Sequence, residues 1–176
     1  MKKIISFVLL AVLIAAPARA GVKAPDDEKV KNVILIIGDG MGLGATASWM
    51  ISQNYEPTCF DRAQYAAVVK TYSANNRTTD SAAAATAMAT GYKTNNSMLG
   101  MLPDGTKPES IAELAQNKGL STGIVVTSYV LDATPAGFYA HVDKRGKRKK
   151  IAEDLIEFKP DVIVGGGRKY FTEKKY

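Results

Sequence analysis

Residues Val33-Ile34-Leu35-Ile36-Ile37 form an unbroken apolar run that halts at Gly38-Asp39-Gly40. A run of β-branched and large apolar side chains without polar alternation belongs to a strand buried on both faces, the mark of a parallel sheet. Parallel strands need long crossovers, usually helical. The chain supplies them. Apolar runs at 67–72, 123–127 and 161–164 alternate with helical stretches at 43–53, from Ser81 to about Gly91, at 108–118 and at 149–158. The pattern predicts an α/β fold: a three-layer, doubly wound, mostly parallel sheet with helices on both faces. With about four strands, at least one apolar edge is expected to lie uncovered. Residues 95–107, rich in Asn, Gly and Pro, are expected to form a surface excursion near the mouth of a site.

Chemistry-bearing side chains sit where such a sheet collects ligands, at the carboxyl ends of its strands. Asp39 ends the first run, and its carboxylate suits a divalent cation; it suits equally well a turn that caps the next helix. Ser81 follows Thr79-Asp80 and opens the alanine-rich stretch Ala82-Ala83-Ala84-Ala85, an excellent helix former. In a first helical turn, free N–H groups and the positive end of the dipole favour an anion beside that hydroxyl. Thr-Asp-Ser also serves as a plain cap. Asp132 and Thr134 lie just past the 123–127 run and offer oxygen ligands, or an N-cap ahead of Pro135. Arg145 carries a planar fork able to clamp two phosphate oxygens, yet it lies in the basic run Lys144-Arg145-Gly146-Lys147-Arg148-Lys149-Lys150. The rest of that run reads as a solvated entry to a helix.

The first twenty residues read as a secretory signal. Lys2 and Lys3 precede a thirteen-residue apolar core, 4–16, and Ala18-Arg19-Ala20 is a cleavage site that leaves Gly21 first. The core is short for a bilayer span. Export to a periplasmic or extracellular compartment follows, with no membrane anchor after cleavage. Without the signal's three basic residues the net charge falls from +6 to +3, a mild balance that says little about nucleic acid, and no nucleic-acid specificity is expected. The one cysteine, Cys59, excludes an intramolecular disulfide and is expected to be a small buried apolar residue.

Five segments in order resemble the alkaline phosphatase family: Ile37-Gly38-Asp39-Gly40-Met41-Gly42; Thr79-Asp80-Ser81-Ala82; Asp132-Ala133-Thr134-Pro135-Ala136; Ala140-His141-Val142 with Arg145; and Gly165-Gly166-Gly167. The resemblance covers nearly all the chain after residue 30. It implies hydrolysis of phosphate monoesters through a phosphoserine on Ser81. It implies Asp39 bridging a zinc and a magnesium, Ser81 meeting zinc, Asp132 and Thr134 holding magnesium, and Arg145 binding phosphate. Asp80 would orient Arg145 and the nucleophile turn. The implied cofactors are two zinc ions and one magnesium, and a homodimer is an assembly the resemblance allows.

The departures are as informative. The family draws three histidines and further carboxylates from its second half, whereas this chain has one histidine, His141. A catalytic zinc usually takes nitrogen ligands. Residues 21–176 therefore read as the amino-terminal portion of the domain, and the 176 residues alone as an inactive remnant without the zinc ligands. A different alternative is dinucleotide binding. Gly40-Met41-Gly42-Leu43-Gly44-Ala45 satisfies a G-x-G-x-x-A fingerprint, and Asp61 lies near the distance of a ribose-binding acid. That reading leaves Asp39 and the Ser81 motif unexplained.

Overall fold

A computed structural model describes residues 30–171; the signal segment lies outside them. The chain divides into two compact units, Met1–Ile37 and Gly38–Tyr176. In the first, residues 30–37 carry no helix or strand, and Val33 and Ile34 are each 85% exposed. The strand expected at 33–37 is thus not formed. A strand apolar on both faces is held by neighbours on both sides, and among the described residues none pairs with it. The run at 67–72 is likewise irregular and exposed, with Val68 95% accessible.

The second unit begins with helix α1 (Leu43–Ser52), which has no buried residue, and a short 3-10 turn (Phe60–Arg62). Trp49 and Phe60 meet edge to face at 5.8 Å. Cys59, expected in the core, is exposed, because the segment around it packs against no core residue. Asp61, the candidate ribose acid, accepts instead from Thr58 N–H at 2.6 Å and its hydroxyl at 2.8 Å, a local turn cap.

Helix α2 (Ser81–Thr90) starts and stops where its sequence dictates. Asp80 caps it by accepting from Ala83 N–H at 3.0 Å, and Gly91 closes it with φ +79°. Helix α3 (Ile111–Asn117) begins three residues later than the Pro108 start suggested. Ser110 and Glu113 form a reciprocal capping box that overrides the proline signal. Strand β1 (Gly123–Tyr129) leads into the short helix α4 (Ala133–Ala136), then α5 (Arg148–Phe158) and strand β2 (Val162–Gly166). In α5, Ile151, Ala152, Leu155 and Phe158 make one buried stripe at helical spacing.

Strands β1 and β2 pair in parallel, Gly123 opposite Val162 and Val125 opposite Val164, with an irregularity before Tyr129–Gly166. They form the two-stranded sheet of an α/β arrangement, two of the four expected strands. The core gathers Leu99, Leu131, Val142, Ile151, Leu155 and Tyr139 with the small residues of α2 and α4. Leu99 is fully buried and bridges Val142 through paired backbone hydrogen bonds of 2.8 and 2.9 Å. The 95–107 stretch is therefore not wholly a surface excursion: its first half is folded into the core.

Candidate active site

The local turns explain how each side chain arrives. Gly38-Asp39-Gly40-Met41 closes a turn, Met41 N–H donating to Gly38 C=O at 3.1 Å, and Gly40 takes φ +69° at its third position. Asp39 therefore projects from a tight corner. Asp80 ends an extended residue (φ −107°, ψ 173°) and turns the chain into α2, which sets Ser81 in the first helical turn. Beyond β1, the buried pair Val130-Leu131 leads to Asp132, which caps α4 by accepting from Ala133 N–H at 2.9 Å. Thr134 follows in the first turn of α4.

These elements converge on Asp39. Ser81 Oγ donates to Asp39 Oδ1 at 3.1 Å, and Thr134 Oγ1 donates to Asp39 Oδ2 at 2.5 Å. A second cluster adjoins through residues 80 and 132. The Arg145 guanidinium forks between Asp80 Oδ2 at 3.4 Å and Asp132 Oδ1 at 3.2 Å. All six residues singled out by the sequence, Asp39, Asp80, Ser81, Asp132, Thr134 and Arg145, are brought together. Ser81, Asp132, Thr134 and Arg145 are half-buried, while Asp39 is exposed.

The electrostatics fit an anion beside cations. Burial pushes the Asp132 carboxyl up, but the Ala133 N–H, the Ser128 hydroxyl and Arg145 outweigh it and hold the group below the usual carboxylate range. Asp132 is thus firmly charged near neutral pH. Oxygen ligands of an octahedral magnesium lie about 3 Å apart. Asp39 Oδ2 and Thr134 Oγ1, 2.5 Å apart, are hard oxygen donors near that spacing, and Asp132, two residues before Thr134, adds a carboxylate of the same hard type, so the donor chemistry suits magnesium. It does not fit zinc by itself. Among the described residues no three His, Cys, Asp or Glu side chains gather as a metal site. His141 has both ring nitrogens engaged elsewhere, Nε2 with Glu113 Oε1 at 2.8 Å and Nδ1 with the Gly100 carbonyl.

Four participants escaped the sequence. Ser128 Oγ donates to Asp132 Oδ2 at 3.1 Å. Asn96 and Ser97 bond to Asp80, through Asp80 N–H to Asn96 Oδ1 at 3.2 Å and Ser97 N–H to Asp80 Oδ2 at 3.0 Å. Arg148 was expected to be solvated; it is half-buried, donates to the Leu131 carbonyl at 3.4 Å and lies 5.8 and 5.7 Å from the Tyr129 and Tyr170 rings. Its reason is the aromatic pair, which offers a cation two faces. The only sequence signal for Asn96 and Ser97 was turn chemistry in an Asn-rich stretch.

Comparison with known proteins gives a consistent answer. A family model described as alkaline phosphatase matches residues 30–176. Alkaline phosphatase 3 of Bacillus subtilis (strain 168) is 38% identical over 167 residues, covering 86% of this chain and 36% of its own length. Among solved structures, the cold-active alkaline phosphatase of the psychrophile Shewanella sp. superposes with a TM-score of 0.75 at 40% identity, over 78% of this chain and 36% of that one. A histidine-to-glutamate variant of TAB5 alkaline phosphatase, with Mg bound, gives 0.72 at 37% identity, over 78% and 40%. The chain spans between a third and two-fifths of the length of these relatives.

Proposed function

The chain belongs to the alkaline phosphatase family, and from that premise we propose that Ser81 is the nucleophile of a phosphate monoester hydrolase. The observation that carries the reading is the pair of contacts Ser81–Asp39 at 3.1 Å and Arg145–Asp80 at 3.4 Å, one residue apart along the chain. A phosphate seated at the amino terminus of α2 would meet a hydroxyl oxygen, a guanidinium fork and the positive end of a helix dipole.

Asp39 Oδ1 accepts the Ser81 hydroxyl hydrogen, which aims an oxygen lone pair away from the carboxylate and toward the phosphorus. Ser81 Oγ forms a bond to phosphorus as the bond from phosphorus to the ester oxygen breaks, and the Ser81 hydroxyl proton, passed by way of Asp39 Oδ1 and solvent, ends on the departing oxygen. Arg145 offers N–H donors to the non-bridging oxygens, so charge that builds there meets a fixed cation. Water then attacks the phosphoserine, releases inorganic phosphate and returns a proton to Ser81 Oγ. Asp80 and Asp132, on either side of the guanidinium, hold it in one orientation. Zinc and magnesium, when bound, supply Lewis acidity: magnesium at Asp39, Asp132 and Thr134, and zinc only with nitrogen ligands beyond those described. For that reason the 176 residues alone are read as inactive.

The test is direct. In a chain extended to the length of its relatives, a 32P-labelled monoester should leave label on Ser81, and Ser81→Ala should abolish both label and turnover. Label that persists in Ser81→Ala assigns the nucleophile elsewhere. Export belongs to the same proposal, motivated by the charged, apolar and small-residue segments of residues 1–20. Intact mass of the secreted product should begin at Gly21; a product retaining Met1 refutes cleavage there. Among the described residues no helix is long and apolar enough to cross a membrane.

A further inference from the structure

The turn at residues 95–98 lies between the nucleophile segment and the arginine segment, and touches both. Met98 N–H donates to Asn95 C=O at 3.2 Å, which makes Asn96 and Ser97 the central residues of the turn. Ser97 takes φ +75°, a conformation that favours glycine and that a serine holds at a cost. What holds it is bonding on both sides of the residue. Ser97 N–H donates to Asp80 Oδ2 at 3.0 Å, and Ser97 C=O accepts from Arg145 N–H at 2.7 Å. One residue, through the peptide groups on its two sides, thus ties the helix cap to the backbone of the phosphate clamp.

The Asn96 side chain completes the frame. Its Oδ1 accepts from Asp80 N–H at 3.2 Å, and its Nδ2 donates to Thr78 C=O at 3.0 Å. The carboxamide therefore grips the two peptide groups that flank Thr79, as a neighbouring strand would. Its own backbone is anchored in turn, Asn96 N–H donating to Asn75 Oδ1 at 2.9 Å. Ser73 Oγ also donates to that Asn75 oxygen at 3.2 Å. No aspartate, leucine or alanine at residue 96 could make both contacts, because only a carboxamide presents a donor and an acceptor side by side.

We propose that Asn96 is a positioning residue for the Ser81 reaction: by clamping the peptides on both sides of Thr79 it fixes where α2 begins, and so where Ser81 Oγ and the Asp80 carboxylate point. The inference rests on the phosphoryl-transfer reading of the site. Asn96 touches neither Ser81 nor Arg145 through its side chain. It acts through Asp80, which joins the helix cap, the Ser97 amide and the guanidinium. Loss of the carboxamide frees residues 78–80, lets the Asp80 carboxylate swing, and leaves Arg145 with one fixed partner, Asp132.

The experiment uses the whole chain, unsubstituted and as Asn96→Ala, with inorganic phosphate as the probe. Amide exchange of Asp80 and Ser97 should quicken about tenfold or more in Asn96→Ala, while the interior amides of α2 keep their protection and Tm moves by no more than about 3 °C. Phosphate-induced NMR shifts at Ser81 and Arg145 should then require about tenfold more phosphate, the value of one lost orientation in a charged clamp. Equal phosphate affinity in the two proteins overturns the role of Asn96. So does a uniform loss of protection across α2, which marks a merely structural residue. Absence of phosphate shifts in the unsubstituted chain overturns the Arg145 phosphate clamp in this chain, and the Asn96 role with it, while the Ser81 labelling experiment separately decides the phosphoryl-transfer reading. If Asn96→Ala does not fold, Asn96→Ser, which loses the donor to Thr78, is read by the same criteria.

Discussion

His141 faces an acceptor on each ring nitrogen, the Glu113 carboxylate on Nε2 and the Gly100 carbonyl on Nδ1. Both bonds can form only if both nitrogens carry hydrogen, so the ring is held as the cation. The hydrogen bond to Glu113 raises the His141 pKa, against burial and with help from Gly100 and Asp154. Burial pushes the Glu113 carboxyl up, but His141 and Ser110 outweigh it and hold the group low. The imidazole contribution is thus complete below its unfolded pKa of about 6.5 and fades as pH rises through the raised folded value. The Glu113 contribution is present above about 4.5 and fades as pH falls through its lowered folded value. Glu113→Gln should therefore cost most between about pH 5 and 6.5, on the order of 1 kcal/mol for a half-exposed pair, and least at alkaline pH. Urea unfolding at pH 6 and pH 9.5 checks it; an equal cost at both values refutes the charged pair. His141 also marks the limit of what motifs reveal. Asp39, Ser81, Asp132 and Thr134 were legible because each follows an apolar run or opens a helix, whereas Arg145 stood out from its basic run only through the family resemblance. The partners of His141, and the Asn96 contact sixteen residues from Asp80, depend on where separate segments meet.

At the scale of elements, the meeting of α2 and α4 sets the distance between Ser81 and Thr134. A Cβ added to Gly137 would lie 2.6 Å from Ala85 Cβ and 3.1 Å from the Ala85 carbonyl carbon and the Thr86 nitrogen. Two of those three atoms are backbone, so they cannot swing aside. Gly137→Ala should push α4 off α2 and destabilise the unit by about 1–3 kcal/mol, the usual cost of overpacking. It should also lengthen the Thr134–Asp39 contact, now 2.5 Å. The midpoint of urea unfolding reads the first effect, and an unchanged midpoint rejects the close approach. Helices of this kind were readable in advance because their signals are local: Asp80 caps α2, Gly91 ends it, and alanines fill it. The strands were readable as apolar runs, yet 33–37 and 67–72 stay irregular while 123–129 and 162–166 pair. A strand's apolar sequence states that it suits burial. Whether it becomes a strand depends on a neighbour, and that information is not within the run itself.

For the chain as a whole, the sheet is the unresolved account. Among the described residues β1 and β2 pair only with each other, so each keeps one edge of unpaired peptide groups. Their outward side chains are apolar: Val125 is 70% exposed, Val164 54% and Val162 50%. Contiguous apolar strands with open edges bind other strands unless charges or cover prevent it, and no lysine or proline interrupts either strand. A net charge of +6 over 176 residues is too small to oppose that association once salt screens it. The isolated chain should therefore self-associate in a concentration-dependent way, through this sheet rather than through the basic run near Arg145. Sedimentation velocity from about 5 to 100 µM, in low and in high salt, reads it. The sheet mechanism predicts association that strengthens or holds as salt rises, since burial of apolar surface is not screened. Val125→Lys with Val164→Glu, opposite charges on register partners, should return the chain to monomer with little change in Tm, because both side chains already face water. A monomer throughout, or association that vanishes in high salt, rejects the sheet as the contact. Chromogenic phosphate ester hydrolysed by the associated chain with zinc and magnesium, and lost in Ser81→Ala, would instead mean that copies complete one another's site.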